Sequence, residues 1–185
     1  MCIRDSLLSR LVTVKKVDTA DAASQGTLRS LQAGVDVAHP AIPTVFAVIP
    51  DGRKTWLVGE FVKGLPLSEL VDELSPESIY LIARDLLSAL GCLERLGLVH
   101  GDLSPNNVVV DVNGQVRLLE FESCSRVGQP LSDSATIGFS APERYSRKVS
   151  LPTIDTWSAG ALIIWLITQA APSVVYDDAR KPVSV

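Results

Sequence analysis

The sequence reads His-Gly-Asp-Leu-Ser-Pro-Asn-Asn at residues 100–107, and this stretch decides how the remainder is interpreted. It lies between a segment with helical periodicity and a pair of short β-rich segments, so it is predicted to be a helix-to-strand loop. Taken alone, an Asp or Asn in such a loop is as readily a turn former as a functional group, because both side chains hydrogen-bond to nearby backbone. The flanking segments and their order therefore carry the interpretation.

The segment before this loop predicts two helices. Residues 75–77 read Ser-Pro-Glu, which supplies an N-cap, a first-turn proline and an acid that compensates the helix dipole. Apolar residues then recur at helical spacing from Ile79 to Leu93, and Gly97 suits the end of the helix. Ser68 is predicted to cap a shorter helix that runs to Leu74.

The segment after the loop predicts a β-hairpin and then an apolar helix. Residues 108–110 and 115–119 flank Asn113-Gly114, a dipeptide that tolerates the positive φ angles of a tight hairpin turn. The polar segment 122–136 has no periodicity and is predicted to be a loop. An apolar helix is predicted after Pro152.

The first third of the chain predicts strand, helix and hairpin. Residues 8–17 are rich in β-branched side chains, and residues 18–32 are Ala-rich and predicted to be helical. Residues 44–49 and 55–61 flank a Pro-Asp-Gly turn, so they are predicted to form an antiparallel hairpin. Together these patterns predict an α+β fold.

Composition limits the function classes. The 185 residues are 46% hydrophobic, enough for one substantial core or for two small lobes. The net charge of −4 comes from 17 basic and 21 acidic residues that are scattered along the chain, which predicts no binding to nucleic acid or to an anionic membrane. The three cysteines have no CxxC spacing, so they are expected to be reduced thiols in a cytoplasmic chain.

The longest uncharged stretch raises the question of a membrane span. Residues 156–176 carry no charge, and about 20 apolar residues suffice to cross a bilayer. Polar residues interrupt this stretch and its strongly apolar part, 159–167, is too short, so a buried core helix is favoured over a span. Residues 1–9 show no basic region followed by a long apolar run, so no secretory signal is predicted.

Residues 100–107 resemble the catalytic loop of the protein kinase family, in which His, Arg, Asp and Leu precede an Asn. By this resemblance, Asp102 would orient the substrate hydroxyl and accept its proton. Asn107 would bind the metal ion that neutralises the phosphates. His100 would be structural, because it falls at a position that stacks on Phe121 in active kinases.

Four further stretches match the family in the same order along the chain, and such agreement is not expected by chance. The strand that carries the phosphate-contacting lysine reads Val-Thr-Val-Lys and ends at Lys15. Residues 119–122 stand in place of the magnesium-binding motif, residues 136–143 end with Ala-Pro-Glu intact, and residues 155–160 resemble the start of the central helix. The Asp of the last stretch, Asp155, would fasten the catalytic loop.

The resemblance implies a protein-kinase-like two-lobe fold, truncated at both ends. A β-rich N-lobe that lacks its first strands would span residues 8–62. A helical C-lobe that ends after the central apolar helix would span residues 63–176, and residues 177–185 would be a polar tail.

The resemblance also implies where ATP and Mg²⁺ would bind. ATP would lie between the lobes, with Lys15 on its phosphates and Val109 as the floor beneath the base. The backbone from Glu60 to Val62 would be the hinge that holds adenine. Asn107, together with Glu120, would hold Mg²⁺.

Some positions near the phosphates depart from the family pattern. No glycine precedes Gly26, so the Gly-rich loop is absent from this sequence, whether deleted or lying upstream of Met1. Ser24 falls where the glutamate that pairs with the lysine is expected. Glu120 replaces the metal-binding Asp; it keeps an anionic oxygen but is one methylene longer. Glu122 replaces a glycine and adds a second negative charge.

Other departures concern regulation and specificity. Gly101 replaces an Arg, so a phosphate on the activation segment would lack its usual cation in the catalytic loop. Gly59 falls at the gatekeeper position, which predicts a roomy space behind the adenine site. Thr136 matches the threonine that lies near the catalytic Asp in serine/threonine kinases.

The leading functional interpretation is an ATP- and Mg²⁺-dependent serine/threonine kinase of the bacterial, eukaryotic-like kind, acting on an unknown protein substrate. A pseudokinase that binds nucleotide or a partner protein is the alternative, and the departures at Ser24, Glu120 and Glu122 discriminate between the two. A small-molecule phosphotransferase of the aminoglycoside-kinase type shares His-Gly-Asp-Leu and the downstream Asn. The Ala-Pro-Glu motif and the run at residues 155–160 argue against that third interpretation.

Overall fold

The computed structural model describes residues 2–5, 10–18, 39–52, 54–131, 135–147, 149–170, 172, 175–176 and 182–183. The helix predicted for residues 18–32, including Ser24, lies outside the described residues except for Asp18.

The N-terminal part of the described chain is a four-stranded antiparallel sheet in the order β1-β2-β4-β3. Its strands are β1 (Cys2–Asp5), β2 (Arg10–Asp18), β3 (Val45–Asp51) and β4 (Lys54–Glu60). The predicted β3–β4 hairpin is confirmed, and Gly52 adopts φ of 62° in its turn. Strand β1 was not predicted; it pairs with the lysine strand β2.

Helices begin directly after β5 (Gly64–Pro66). Helix α1 (Leu67–Leu70) leads into a 3₁₀ turn at Val71–Glu73, and the long helix α2 covers Pro76–Arg95. The predicted cap on α2 is confirmed, because the Ser75 hydroxyl accepts the Ser78 N–H at 3.1 Å. The predicted Ser68 cap is wrong, since α1 starts one residue earlier, where the fully buried Leu67 is drawn into the core.

Short strands surround the loop at residues 100–107. β6 (Leu98–Val99) precedes it and pairs with β9 (Ser125–Arg126), which lies inside the segment predicted to be a loop. β7 (Val108–Asp111) and β8 (Val116–Leu118) follow it and form a sheet with β5. The β7–β8 hairpin is confirmed, but only Gly114 of its Asn-Gly pair has a positive φ, at 77°.

The remaining elements are helix α3 (Pro142–Arg147), helix α4 (Pro152–Thr168) and the paired strands β10 (Val175–Tyr176) and β11 (Pro182–Val183). The predicted apolar helix is therefore confirmed as α4. Strand β11 lies within the region predicted to be a tail. Within the described residues, no helix combines the length and apolar character that crossing a bilayer requires.

The main core lies between α2, α4 and the β7–β8 hairpin. Leu86, Leu118 and Leu162 are completely buried in it, and each such burial stabilises the fold by about 1.5–3 kcal/mol. Ala41 and Ile42, which precede the N-terminal sheet strand β3, are buried in the same core. This contact fixes one edge of the N-terminal sheet against the helical part, so that the two regions face each other across a cleft.

The structure describes the side chains of two cysteines, and both carry free thiols. Cys124 is buried and Cys92 is partly buried. Burial raises the pKa of the Cys124 thiol to about 12, so this thiol stays protonated at neutral pH. The expectation of unpaired thiols is confirmed for these two residues.

Gly64 allows β5 to approach β7 closely, and Gly64→Ala is expected to destabilise the fold. A Cβ at Gly64 would lie 2.3 Å from the Val110 carbonyl oxygen and 2.7 Å from Asp111 Cα, and both of these are backbone atoms. We expect the free energy of unfolding to fall by about 1–3 kcal/mol, the usual effect of overpacking. Urea denaturation measures this change.

Gly160→Ala is the matched control. Gly160 lies within α4, and an added Cβ there would meet no atom within 4 Å. Because alanine favours helix over glycine, this variant is expected to be stabilised by about 1 kcal/mol. A Gly64→Ala variant as stable as the original chain would contradict the close strand contact.

Candidate active site

A cavity of about 270 Å³ opens between the N-terminal sheet and the β7–β8 hairpin. One side is formed by β2 and β4, including Thr13, Lys15 and Gly59, and continues along residues 60–62. The opposite side is formed by Leu118 to Phe121, directly after β8. The cavity therefore gathers residues from three distant parts of the sequence.

Asp155 of helix α4 holds the loop at residues 100–107 in place through hydrogen bonds. One Asp155 carboxylate oxygen accepts the His100 N–H at 2.7 Å and the other accepts the Gly101 N–H at 2.9 Å. Burial raises the pKa of Asp155, while the two backbone N–H groups and the nearby Arg144 guanidinium favour its ionised form. The predicted fastening of the loop by this Asp is confirmed.

Asp102 sits at the centre of a small hydrogen-bond network, and neither Asp102 nor Asn107 is among the described residues that line the cavity. The Asn107 side-chain nitrogen donates to the Asp102 backbone oxygen at 2.8 Å and contacts its carboxylate at 3.3 Å. The Thr136 hydroxyl donates to the other carboxylate oxygen at 3.0 Å. Because the Asn107 nitrogen points to Asp102, the Asn107 oxygen Oδ1 is the atom that would bind a cation.

His100 is structural, as predicted. Its ring is buried and lies edge-on to Phe121 with 5.0 Å between the ring centroids. Its Nε2 lies 2.8 Å from the Leu119 carbonyl oxygen, which can only accept, so Nε2 carries the proton and the ring donates this bond. The ring thus ties the loop to the residues that line the cavity.

Lys15 and Glu120 form an ion pair across the cavity. Glu120 adopts φ of 64° and ψ of 43°, a left-handed conformation that costs a residue with a Cβ about 1 kcal/mol or more. The sequence assigned Lys15 to phosphates and Glu120 to metal and did not predict this contact. The pairing gives the lysine an anionic partner on the opposite wall of the cleft.

The predicted hinge lines the cavity, whereas the predicted floor does not. Glu60 and Val62 both lie on the cavity wall. Val109 is buried within β7 and is not among the described residues that line this cavity, so its contact with adenine stays a prediction. The space predicted behind Gly59 is partly taken up, because the Thr44 carbonyl oxygen lies 3.2 Å from the position of an added Cβ.

Gly101 adopts φ of 81°, and its surroundings leave no room for a side chain. An added Cβ would lie 3.0 Å from the Ser123 carbonyl oxygen and 3.4 Å from the Arg144 guanidinium. Arg144, which is buried, donates to the Gly101 carbonyl oxygen. A cation thus lies beside the loop after all, supplied by helix α3 rather than by residue 101.

The oxygen donors of the cleft fit Mg²⁺ that arrives with a polyphosphate better than they fit a metal cage. Among the described residues, no group of three or more His, Cys, Asp or Glu side chains is arranged to hold a metal ion. Mg²⁺ keeps several waters and is commonly bound through one or two carboxylates plus substrate phosphates. Asn107 and Glu120 are compatible with that mode of binding.

Comparison with known proteins agrees with this geometry. The family description "Protein kinase domain" matches residues 2–182, nearly the whole chain. The chain therefore belongs to the protein kinase family, with the α+β fold that the sequence predicted. Serine/threonine-protein kinases are among the matched relatives.

Three relatives illustrate the degree of similarity. Sperm motility kinase 2B of Mus musculus is 28% identical over 93% of this chain and 37% of its own length. Serine/threonine-protein kinase PAK mbt of Drosophila melanogaster is 28% identical over 93% of this chain and 28% of its own length. Sperm motility kinase 3A of Mus musculus is 32% identical over 72% of this chain and 28% of its own length. The chain thus spans roughly a third of the length of these relatives.

Proposed function

We propose that the chain transfers the γ-phosphoryl group of ATP to serine or threonine hydroxyls of a protein substrate, in a cytoplasmic setting. The arrangement of Asp102, Asn107 and Thr136 carries this proposal, because the Asn107 amide and the Thr136 hydroxyl hold the two oxygens of one carboxylate in a fixed orientation, as a base that receives a hydroxyl proton requires. The serine/threonine kinases among the relatives support the same reaction class.

The residues of the chain would act mainly by positioning. Asp102 would accept a hydrogen bond from the substrate hydroxyl, orient its oxygen and take its proton as the bond to the γ-phosphorus forms and the bond from that phosphorus to the departing ADP breaks. Thr136 and Asn107 hold the Asp102 carboxylate in place through the contacts already described. Lys15 contributes positive charge beside the phosphates, and the backbone at residues 60–62 holds adenine.

Mg²⁺, when bound, supplies charge that neutralises the phosphate oxygens. Asn107 Oδ1 and the Glu120 carboxylate would hold it. For Glu120 to do so, its side chain must share or give up its contact with Lys15. That exchange is the step at which this chain differs from the family pattern.

The Lys15–Glu120 ion pair also favours the alternative, a pseudokinase that binds a nucleotide or a partner protein without transfer. The pair joins the two groups that would otherwise contact phosphate and metal. The Lys15 ammonium and the Glu120 carboxylate must then separate before the first can contact the phosphates of ATP and the second can contact the metal ion. If that release does not occur, nucleotide binds without productive placement of its γ-phosphate.

Thermal-shift titration with ATP, with and without Mg²⁺, followed by phosphate transfer to a generic protein substrate, tests the proposal. The expected result is stabilisation by ATP that is larger with Mg²⁺, together with measurable transfer. Glu120→Asp, with its shorter side chain, is expected to raise transfer by about tenfold, which corresponds to about 1.4 kcal/mol of better metal placement. Glu120→Gln is the matched variant and is expected to lose the Mg²⁺ dependence.

The outcomes separate the two functions. Transfer by the original chain or by Glu120→Asp supports the kinase. ATP binding without transfer in either protein contradicts the kinase and supports the pseudokinase. Absence of any nucleotide effect leaves partner binding as the function of the fold.

A further inference from the structure

Arg117 connects the helical part of the chain to the predicted hinge. It lies on β8 between Val116 and Leu118, which are both buried in the core, so its side chain projects from the opposite face of the strand. One guanidinium nitrogen lies 2.6 Å from a Glu60 carboxylate oxygen. Glu60 is the last residue of β4 and the first residue of the hinge.

Glu60 is held on its other side by the start of the β3 region. Its second carboxylate oxygen accepts the Thr44 N–H at 3.1 Å. Its backbone N–H donates to the Thr44 carbonyl oxygen at 2.8 Å. The side chain of Glu60 therefore bridges the N-terminal sheet and β8.

Arg117 is itself fixed by a rigid partner. Its other terminal nitrogen lies 3.8 Å from an Asp111 carboxylate oxygen. The second oxygen of Asp111 accepts the N–H groups of Asn113 and Gln115 at 2.8 and 3.0 Å, which fixes the turn of the β7–β8 hairpin. The residue after the hinge contacts the same hairpin, because Val112 donates its N–H to the Lys63 carbonyl oxygen at 3.1 Å.

The chemistry of this contact favours arginine. The Arg117 side chain is only 11% exposed, so solvent and salt screen its charge weakly. Its Nε is buried and has no hydrogen-bond partner among the described residues, so the terminal nitrogens carry the hydrogen bonding. A planar fork can reach two carboxylates at once, whereas the point charge of a lysine cannot.

We propose that Arg117 is a positioning residue for nucleotide binding, which fixes the hinge at residues 60–62 by holding Glu60 against the β7–β8 hairpin. The proposal rests on the proposed function, since adenine is expected at this backbone. Arg117 is not among the residues that line the cavity and would touch no ligand. Its effect is therefore expected on adenine recognition and not on phosphate binding.

Arg117→Gln tests this role, and Arg84→Gln is the matched control. Arg84 is an exposed arginine whose ion pair joins it to its neighbour Asp85, away from the hinge. Dissociation constants are measured for ATP and for inorganic tripolyphosphate, both with Mg²⁺. We expect Arg117→Gln to weaken ATP binding by about tenfold, the usual range for one charged hydrogen bond, and to leave tripolyphosphate binding unchanged.

Two further variants sharpen the test. Arg117→Lys is expected to recover part of the ATP affinity, because it keeps the charge but loses the fork. The double variant Glu60→Gln with Arg117→Gln is expected to be no weaker than the more affected single variant, because both changes remove the same contact. Additive losses would contradict a role of Arg117 through Glu60.

Hydrogen exchange of the peptide at residues 57–66 reports the hinge without any ligand. Faster exchange in Arg117→Gln but not in Arg84→Gln is expected. Unchanged exchange and unchanged ATP affinity would overturn the proposal, and so would an equal loss of affinity for ATP and tripolyphosphate. If the original chain binds no nucleotide, the proposed function fails, and hinge exchange alone then supports or overturns the positioning role.

Discussion

Asp102→Asn is expected to lower phosphoryl transfer by about 10²–10⁴-fold, the usual contribution of a positioned general base. The amide keeps one oxygen that can accept the Thr136 hydroxyl. The Asn107 contact to the Asp102 backbone oxygen does not depend on the side chain. The variant therefore removes the basic oxygen and, with it, only the longer 3.3 Å contact from the Asn107 nitrogen, so ATP binding is expected to change little. Initial rates and ATP titrations measure the two effects separately.

Asp72→Asn is the control for this prediction. Asp72 is an exposed acid on the 3₁₀ turn after α1, far from the loop at residues 100–107 in the chain. It should leave the rate unchanged. A rate for Asp102→Asn within a factor of a few of the original chain would show that Asp102 does not serve as the base.

Asp155→Ala is expected to lower the free energy of unfolding by about 2–4 kcal/mol, because it leaves two buried N–H groups without an acceptor. Those groups belong to His100 and Gly101, and both hydrogen bonds are buried. The cost of burying the Asp155 charge, which raises its pKa, is recovered in the variant and offsets part of the loss. Chemical denaturation at neutral pH measures the change.

The same variant is expected to disturb the site as well as the fold. Without its fastening, the loop no longer holds Asp102 against Thr136, so transfer falls even at temperatures where the chain is folded. Glu94→Ala, on the exposed face of α2, is the control and should change neither quantity. A folded Asp155→Ala variant with full activity would contradict the role of Asp155 in loop placement.

Much of the fold could be predicted because its signals are local. The Ser75 cap and the apolar spacing between Ile79 and Leu93 specify helix α2 within a few residues of chain. Turn residues likewise specify both hairpins. The prediction of a Ser68 cap was wrong because the burial of Leu67 decided where α1 begins. The capping preference of Ser68 was weaker than the free energy gained by burying Leu67 in the core.

The site was predicted only at positions that match motifs of the family. Asp102, Asn107 and Thr136 come together as the resemblance implied, and Asp155 fastens their loop. The ion pair between Lys15 and Glu120 was missed because the resemblance assigned each residue a separate role, one with phosphate and one with metal. Arg144 was missed because nothing near it in the sequence marks it as buried.

The sequence by itself determined the main helices, both hairpins, the order of the motifs and the place of Lys15, Glu60, Val62 and Glu120 on the cavity wall. The tertiary structure decided which of those groups meet. Lys15 and Glu120 are 105 residues apart, and Arg117 reaches Glu60 across two sheets. Periodicity and capping act over a few residues, whereas such contacts depend on how the sheet and helices pack around one core. For that reason the family of this chain was predictable from its motifs, and the partner of each charge was not.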